Sequence, residues 1–314
     1  MDRFLSIEAF VRVAETQCFS EAARQLGVAK SVITTRVQQL EELLAVPLLH
    51  RTTRTVRLSE VGEAFYRDCA ELLGRAEALV EHVRDLRGAP AGLLRVHALT
   101  GFVLGHLAQV LREFQDRFPA IVLDLVVNDS VVDPVREGFD CALQIFPPSS
   151  ETLIERRLFP VRRVFCASPA YLDRSGEPEK PPDLSRHRLG LYSRYPTRDR
   201  WHFRSPTEQV TLELKPFLRT NSVHLLREYA LADAGLVCIP TLVAADDILA
   251  GRLRPVLPGY RLSSFWLSAV YPSTHRNTFK LRLFLDSVAR AFAGGPSWDR
   301  TLAERGLVPA HDLD

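Results

Sequence analysis

Apolar residues recur with helical spacing through the first part of the chain and predict three short helices. Residues 2–16 form the first. Ser20 is predicted to cap a second helix that Gly27 ends, and Ser31 to cap a third. The apolar side of the third helix carries Ile33, Val37, Leu40 and Leu44. Two short helices joined by a tight glycine turn are typical of a helix-turn-helix.

The polar side of the third predicted helix carries hydrogen-bond donors and acceptors and no acid. Such a face can enter the major groove of DNA. The residues that we expect to face DNA are Lys30, Ser31, Val32, Thr34, Thr35, Arg36 and Gln39. A solvated helix face is the plainer interpretation, but it does not account for the hairpin that follows.

That hairpin is predicted because Pro47 cannot continue a helix and Thr55–Leu58 alternates polar and apolar residues. Two short strands with arginine at their edges form a wing. We expect Arg51, Thr53 and Arg54 to contact the DNA backbone or minor groove. Arg57 could do so too, or could pair with Glu60.

From Ser59, a predicted N-cap, to about Arg87 the apolar spacing changes to seven, which predicts a helix of roughly 43 Å with a heptad seam. The seam consists of Phe65, Cys69, Leu72, Ala76, Leu79, Val83 and Leu86. A lone helix of that length has nothing to bury the seam against. We therefore expect it to pair with the same helix of a second chain. Packing on the two lobes that the later part of its own chain could form is an alternative.

Beyond a Gly- and Pro-containing linker at 88–92, strands and helices alternate, which predicts a parallel, doubly wound sheet. The segment Gly101–Phe118 reads as one helix, and residues 169–206 read as loop-rich. Ser264–Tyr271 reads as a strand that could return the chain to the earlier sheet. The residues after Gly294–Pro296 are expected to form a weakly ordered tail.

Composition limits the function classes. At 314 residues the chain exceeds one ordinary core, and its net charge of +2 does not by itself indicate nucleic acid. Five cysteines without a CxxC pair argue against disulfides and structural zinc. No apolar run approaches the roughly 18–20 residues of a membrane span, and the N-terminus lacks the apolar stretch of a signal peptide. We expect a cytoplasmic protein with no membrane partner.

Signatures of catalysis are missing from the sequence. It contains no GxSxG elbow, no GxGxxG after a strand, no P-loop and no HExxH. The nine histidines include no pair spaced i, i+4. We therefore expect no enzyme, no cofactor and no metal. A binding protein for transport is a second alternative function. Such a protein would need a signal peptide and would not need the helix-turn-helix.

The stretch Phe19–Gly62, FSEAARQLGVAKSVITTRVQQLEELLAVPLLHRTTRTVRLSEVG, together with the order of parts over residues 2–293, resembles the LysR-type transcriptional regulators. The resemblance implies a multidomain α/β chain: a winged helix-turn-helix, a long coiled-coil linker helix, and a two-lobed, Rossmann-like effector domain similar to periplasmic binding proteins. The implied bounds are 1–58 for the DNA-binding domain, 59–87 for the linker helix, 88–92 for the hinge, 93–293 for the effector domain (lobe 1 at 93–162 and 269–293, lobe 2 at 163–268) and 294–314 for the tail.

The same resemblance implies promoter DNA as a partner, bound by a dimer of dimers, with a small effector in the cleft between the lobes and RNA polymerase as a further candidate partner. One departure concerns Thr35, since many family members carry a basic residue there. Threonine cannot make the bidentate contact of arginine to guanine. Specificity is therefore expected to depend more on Arg36, on the wing and on DNA shape.

Two predicted helix N-termini, at Thr100–Gly101 and Asn221–Ser222, offer free N–H groups that suit a small anion. Together with the positions that the resemblance adds, the expected effector site is Thr100, Gly101, Phe102, Asn128, Gln144, Phe146, Asn221, Ser222 and Val223. Ordinary N-capping is the alternative for each.

A small organic acid is the hypothesis for the effector. Arg194, Arg198, Arg200 and Trp201 either add a carboxylate clamp with an aromatic wall or belong to a solvated loop. An effector-independent DNA organiser, in which the lobes serve only oligomerisation, remains the alternative function.

Overall fold

The computed structural model describes residues 2–51, 56–85, 90–195, 200–263 and 265–309. The helices are α1 (Arg3–Thr16), α2 (Phe19–Gln25), α3 (Lys30–Leu44), α4 (Glu60–Asp85), α5 (Thr100–Phe102), α6 (Ala108–Arg117), α7 (Pro134–Glu137), α8 (Pro169–Ser175), α9 (Val223–Leu231), α10 (Thr241–Leu249), α11 (Phe279–Ala291) and α12 (Ser297–Glu304). No described helix has both the length and the apolar character needed to cross a membrane.

The strands are β1 (Leu49–Arg51), β2 (Val56–Leu58), β3 (Gly92–Ala98), β4 (Ile121–Val127), β5 (Cys141–Gln144), β6 (Leu153–Val161), β7 (Arg163–Ala167), β8 (Leu189–Tyr192), β9 (Arg200–Arg204), β10 (Gln209–Glu213), β11 (Leu218–Thr220), β12 (Leu236–Pro240), β13 (Arg254–Val256), β14 (Arg261–Leu262) and β15 (Phe265–Pro272).

Helices α1, α2 and α3 and the antiparallel hairpin β1–β2 form the N-terminal domain, a winged helix-turn-helix. Its core holds Phe10, Ile33 and Leu40. The predicted caps on α2 and α3 are wrong. The N–H of Ala22 donates to the carbonyl of Cys18, so α2 begins before Ser20, and α3 likewise begins at Lys30 with Ala29 at its N-cap position and no side-chain cap.

Two other predicted helix ends are confirmed. Gly27 has φ +65°, which a residue with a side chain rarely adopts, and it stops α2 in the left-handed conformation. Ser59 caps α4: its Oγ accepts the N–H of Gly62 at 3.0 Å and donates to the carbonyl of Pro47 at 2.8 Å. That pair of bonds fixes the direction in which α4 leaves the wing.

Lobe 1 is a five-stranded sheet with the order β4-β3-β5-β15-β6, and lobe 2 is one with the order β11-β8-β12-β7-β13. The pairs β3–β4 and β3–β5 are parallel, as are β8–β11 and β8–β12. The first strand after each crossing between lobes runs against its neighbours: β7 is antiparallel to β12, and β15 to β5. Both sheets are therefore mixed: the expected parallel pairing is confirmed for β3 and β8 and is wrong for β7 and β15.

Two predictions within the lobes fail. Strands β8 and β9 lie in the region 169–206 that was expected to be loop-rich, and β9 is the middle strand of the three-stranded sheet β10-β9-β14. The predicted helix 101–118 is broken, because Leu104 has ψ 107° and Gly105 has φ +102°. Without that glycine the chain could turn only at a steric cost. The break leaves α5 only three residues long.

Helix α12 and the residues after it are packed as far as residue 309, so the expectation of a weakly ordered tail is wrong for 297–309. Residues 310–314 lie outside the described part. Trp298 and Leu302, four residues apart on α12, are buried, as is Val308 beyond the helix. The ring of Trp298 lies 3.9 Å from that of His106, centroid to centroid. The four-residue spacing of Trp298 and Leu302 gives α12 an apolar face, and this face covers the junction of the two lobes.

Candidate nucleic-acid interface and ligand cleft

Helix α3 packs on the domain core with one face and leaves the opposite face open. Ile33, Val37 and Leu40 are buried against α1 and α2, which turns the opposite face outward. The carboxylate of Glu41 accepts the N–H groups of Leu48 and Leu49 at 2.9 and 3.1 Å, so it fixes the hairpin to the end of α3. An acid near the predicted DNA face is thereby used inside the domain.

The predicted DNA-facing residues share that outward face. Lys30, Ser31, Val32, Thr35 and Gln39 are exposed, and Thr34 and Arg36 are half-buried. The hydroxyl of Thr34 donates to the carbonyl of Lys30 at 3.0 Å, so it faces its own helix. On the wing, Arg51 lies on β1 and Arg57 is exposed on β2, whereas Thr53 and Arg54 lie outside the described residues.

The seam of α4 is divided between two uses. Cys69 is buried in the N-terminal core, where burial raises the pKa of its thiol to about 11. The ring of Phe65 lies 5.7 Å from that of Phe10, centroid to centroid. Leu72 and Leu79, one heptad apart, are 49% and 66% exposed. Ala76 between them is half-buried, whereas Leu86 and the side chain of Val83 lie outside the described part.

A buried polar cluster joins the N-terminal domain and α4 to lobe 1, and the sequence interpretation missed it. The hydroxyl of Tyr66 on α4 lies 2.8 Å from Oγ of Ser273, and Oγ1 of Thr274 donates to Glu15 at 2.9 Å. Tyr66 also donates to Glu15 at 3.3 Å, and Arg12 pairs with the same carboxylate. The available signal was an acid at position 15, four residues after the inward-facing Val11.

The carboxylate of Glu15 is almost wholly buried, which is costly for a charge unless it is paired and hydrogen-bonded. Burial, followed by the negative charge of Glu15, raises the pKa of Tyr66 well above its usual value. The tyrosine therefore stays neutral and can keep donating. Two contacts between α-helical ends lie beside the cluster: Gln25 donates to the carbonyl of Val135 at 2.9 Å, and Arg136 to Oε1 of Gln17 at 2.6 Å.

The two lobes touch where the effector site was predicted. A methyl group added at Gly101 would lie 3.2 Å from Val223 and 3.3 Å from Val243, both in lobe 2. His106 donates its Nε2–H to the carbonyl of Leu242 at 2.7 Å, since a carbonyl can only accept. The cleft is therefore closed at Gly101.

The predicted anion contact at Thr100 is already used. The N–H of Thr100 donates to the carboxylate of Asp129 at 3.1 Å, and α5 is too short to present a substantial dipole. Asp129 also helps to raise the pKa of Tyr192 in lobe 2 to about 12, after the larger effect of burial. The carboxylate of Asp129 thus lies in the part of the cleft where an anionic ligand was expected to bind.

The remaining predicted effector residues divide between cleft and core. Oδ1 of Asn128 accepts the Nε2–H of His97 at 3.1 Å, and Gln144 donates to the carbonyl of Phe146 at 3.2 Å. Ser222 caps α9 by accepting the N–H of Leu225 at 3.2 Å, next to the exposed Asn221. Phe146 is buried in the lobes' core, where Phe102 lies between other phenylalanine rings.

The loop residues considered for a carboxylate clamp are not brought together as one. Trp201 is buried on β9 against Phe165, with ring centroids 5.2 Å apart, so it is a core residue of lobe 2. Arg200 is exposed, and Arg194 is half-buried near Tyr192. Arg198 lies outside the described residues.

Comparison with known proteins gives matches over nearly the whole chain. A family model described as bacterial regulatory helix-turn-helix protein, lysR family, matches residues 4–63, and one described as LysR substrate binding domain matches residues 87–293. The HTH-type transcriptional regulator PtxR of Pseudomonas aeruginosa is 32% identical over 280 residues, covering 89% of this chain and 90% of that protein. The HTH-type transcriptional activator AaeR of Escherichia coli is 29% identical, covering 93% and 94%.

Solved structures give the same result. CrgA, a LysR-type transcriptional regulator from Neisseria meningitidis, matches with a TM-score of 0.59 at 30% identity, covering 91% of this chain and 97% of that one. The full-length virulence activator AphB of Vibrio cholerae matches with a TM-score of 0.56 at 25% identity, covering 91% and 98%.

Proposed function

Since the chain belongs to the LysR family of transcriptional regulators, we propose that it reads promoter DNA through the outward face of α3. The observation that carries the proposal is the exposure of Lys30, Thr35 and Gln39 on the face opposite a fully buried side. No described carboxylate forms an ion pair with Lys30 or Arg36, so both charges are available to phosphates or bases.

The proposed DNA contacts have two roles. Arg36 is the side chain on this face that could read guanine, and exposed Val32 suits the methyl group of thymine. Arg51, Thr53 and Arg54 of the wing are proposed to hold the DNA backbone. The cytoplasm, where bacterial promoter DNA lies, is the proposed place of action, and contact with RNA polymerase belongs to the same proposal.

We further propose that the chain dimerises through Leu72, Ala76 and Leu79 of α4. These residues leave an apolar strip on the outer side of the helix, whereas Phe65 and Cys69 are used in the chain's own core. A dimer supplies two copies of α3 and fixes the spacing of the half-sites that they read. Two such dimers are proposed to form the tetramer.

The effector is proposed to bind between the lobes, at Asn128, Gln144, Asn221 and Ser222. Oε1 of Gln144 and Nδ1 of His97 are buried without a described partner, so each can still form a hydrogen bond. A small organic acid remains the proposed class. Because Asp129 occupies the N–H of Thr100, the carboxylate of the effector is proposed to lie toward Asn221 and Arg194.

The test of DNA binding uses duplex DNA taken from immediately upstream of the chain's own gene. We expect tighter binding to this duplex than to a shuffled one, with an affinity that falls steeply with salt. The substitution Arg54→Gln should weaken binding to both duplexes alike and lower the salt slope by about one. Equal affinity of the unaltered protein for both duplexes at every salt concentration would reject sequence-specific reading.

A further inference from the structure

A cavity of about 90 Å³ lies where the chain crosses between the lobes, away from the predicted effector residues. Its walls come from residues 160–165 at the first crossing, residues 256–263 at the second, residues 307–309 after α12, and Phe203 on β9. A single water needs only about 10–15 Å³ of such space, so the cavity has room for a small organic molecule.

The charged residues that line this hinge cavity are all arginines: Arg162, Arg163 and Arg261. No acid lines it. The apolar part of the lining includes Phe165, Phe203 and Val256. One end of the preferred occupant should therefore be anionic, and the rest should be apolar.

Arg163 is the unusual member of the three. It is 94% buried by residue area, since 6% of its surface is exposed, and its Nη2 donates to the carbonyl of Ser263 at 2.8 Å. Its Nε and Nη1 have no hydrogen-bond partner among the described residues. A buried guanidinium usually lies against a carboxylate, because the loss of hydration is otherwise costly.

Aromatic rings take the place of the missing acid. The guanidinium carbon of Arg163 lies 4.3 Å from the ring centroid of Phe265, 4.5 Å from Tyr195 and 5.0 Å from Trp201. Contacts of this kind offset part of the desolvation without neutralising the charge. The hydroxyl of Tyr195 and the Nε1–H of Trp201 are also buried without a described partner.

The other two arginines are already partly engaged. Arg162 donates to the carbonyl of Pro309 at 2.6 Å and is influenced by the carboxylate of Asp299 on α12. Burial lowers the pKa of Arg162, the carboxylate of Asp299 raises it, and the neighbouring charge of Arg261 lowers it by a smaller amount. Arg162 thus has an acid of the chain near it, whereas Arg163 has aromatic rings.

We propose that the hinge cavity is a second ligand site, which takes a small carboxylic acid with an apolar or aromatic body. The carboxylate lies against the guanidinium of Arg163, whose Nε and Nη1 can donate to it, and the body lies against Phe165, Phe203 and Val256. Both crossings border the cavity, so an occupant biases the angle between the lobes. The site is separate from the cleft and does not depend on where the cleft effector binds.

The test is isothermal titration calorimetry of the full chain with benzoate, its neutral counterpart benzamide, and sodium sulfate. We expect benzoate to bind, benzamide to bind at least tenfold more weakly, and sulfate to give no saturable heat. The cavity-filling substitution Val256→Phe and the charge-removing substitution Arg163→Met should each weaken benzoate binding at least tenfold. Arg112→Gln, on the surface of lobe 1, should leave it unchanged.

Because Arg163→Met changes a buried residue, circular dichroism must show that it folds, and Arg261→Gln at the exposed rim provides a second charge variant. The absence of benzoate binding to the unaltered protein would overturn the proposal. So would binding that survives Val256→Phe but is lost in the cleft variant Ser222→Ala, since that result would place benzoate in the cleft. The latter result would still agree with the proposed effector site, so the two proposals can fail separately.

Discussion

The hydroxyl of Tyr66 lies 2.8 Å from Oγ of Ser273, and this hydrogen bond joins the linker helix to lobe 1 across 207 residues of sequence. Glu15 of the N-terminal domain accepts from both Tyr66 and Thr274, so three parts of the chain meet at one buried carboxylate. A change in lobe 1 can therefore reach the DNA-binding domain through this cluster, without passing along the linker alone.

Removing one hydroxyl tests this connection. We expect Tyr66→Phe to lower the free energy of unfolding by about 1–2 kcal/mol, because Ser273 and Glu15 each lose a hydrogen bond. Calorimetry should show the N-terminal and effector parts unfolding less cooperatively than before. Tyr171→Phe is the matched control, since that hydroxyl bonds Arg188 and His187 within lobe 2. An equal loss of cooperativity in both variants would count against the connection.

The same residue predicts an alkaline limit to stability. The pKa of Tyr66 is raised in the folded chain, so its stabilising contribution is fully present below the usual tyrosine pKa of about 10 and is lost as the pH rises above it. Urea unfolding between pH 8 and 11 should therefore show stability falling with pH, and falling less steeply in Tyr66→Phe. Tyr192 and Tyr195 keep their raised pKa values in both proteins. Superimposable pH profiles would contradict the assignment.

The exposed strip on α4 predicts the oligomeric state. Changing Leu72 and Leu79 together to lysine places two charges where the second helix would pack, so sedimentation should show the dimer dissociating. Leu225→Lys is a matched control, because Leu225 is also 49% exposed but lies in lobe 2. If the double variant keeps the mass of the unaltered protein, α4 is not the dimer interface.

Gly101 reports on the closure of the cleft. Its hypothetical side chain meets Val223 and Val243 at 3.2–3.3 Å, so Gly101→Val should wedge the lobes apart and cost about 1–3 kcal/mol. We expect a lower melting temperature and a larger radius of gyration by small-angle scattering. Gly259→Ala should change neither, because no atom lies within 4 Å of the added methyl group. Unchanged scattering in Gly101→Val would mean that the lobes do not close there.

The parts that sequence alone predicted are those with strong periodicity. The inward face of α3 and the seven-residue spacing after Ser59 are local patterns, and they placed the helix-turn-helix and α4 correctly. The break at Gly105 was missed because the apolar residues on either side continue a helical spacing, whereas the backbone turns at the glycine. The packing of α12 was missed because its apolar face, Trp298 and Leu302, is short. Its contact with His106 forms only in the folded chain.

The site shows the same division. Which residues of α3 face outward follows from the helical period, whereas the Glu15 cluster and the Arg163 cavity join segments 259 and 100 residues apart. The sequence did not show, for a related reason, that the N–H of Thr100 is already engaged. Asp129, which occupies its N–H, comes from the end of the neighbouring strand β4, and only the sheet brings the two together.

Arg36 provides the most direct test of DNA reading. Anisotropy titrations should compare the unaltered protein, Arg36→Gln and the lobe 1 surface control Arg112→Gln on the upstream duplex and on a shuffled one. We predict that Arg36→Gln loses about 1–3 kcal/mol on the upstream duplex and much less on the shuffled one, so that discrimination collapses. Arg112→Gln should behave like the unaltered protein. If Arg36→Gln keeps full discrimination between the two duplexes, the outward face of α3 does not read the promoter through Arg36.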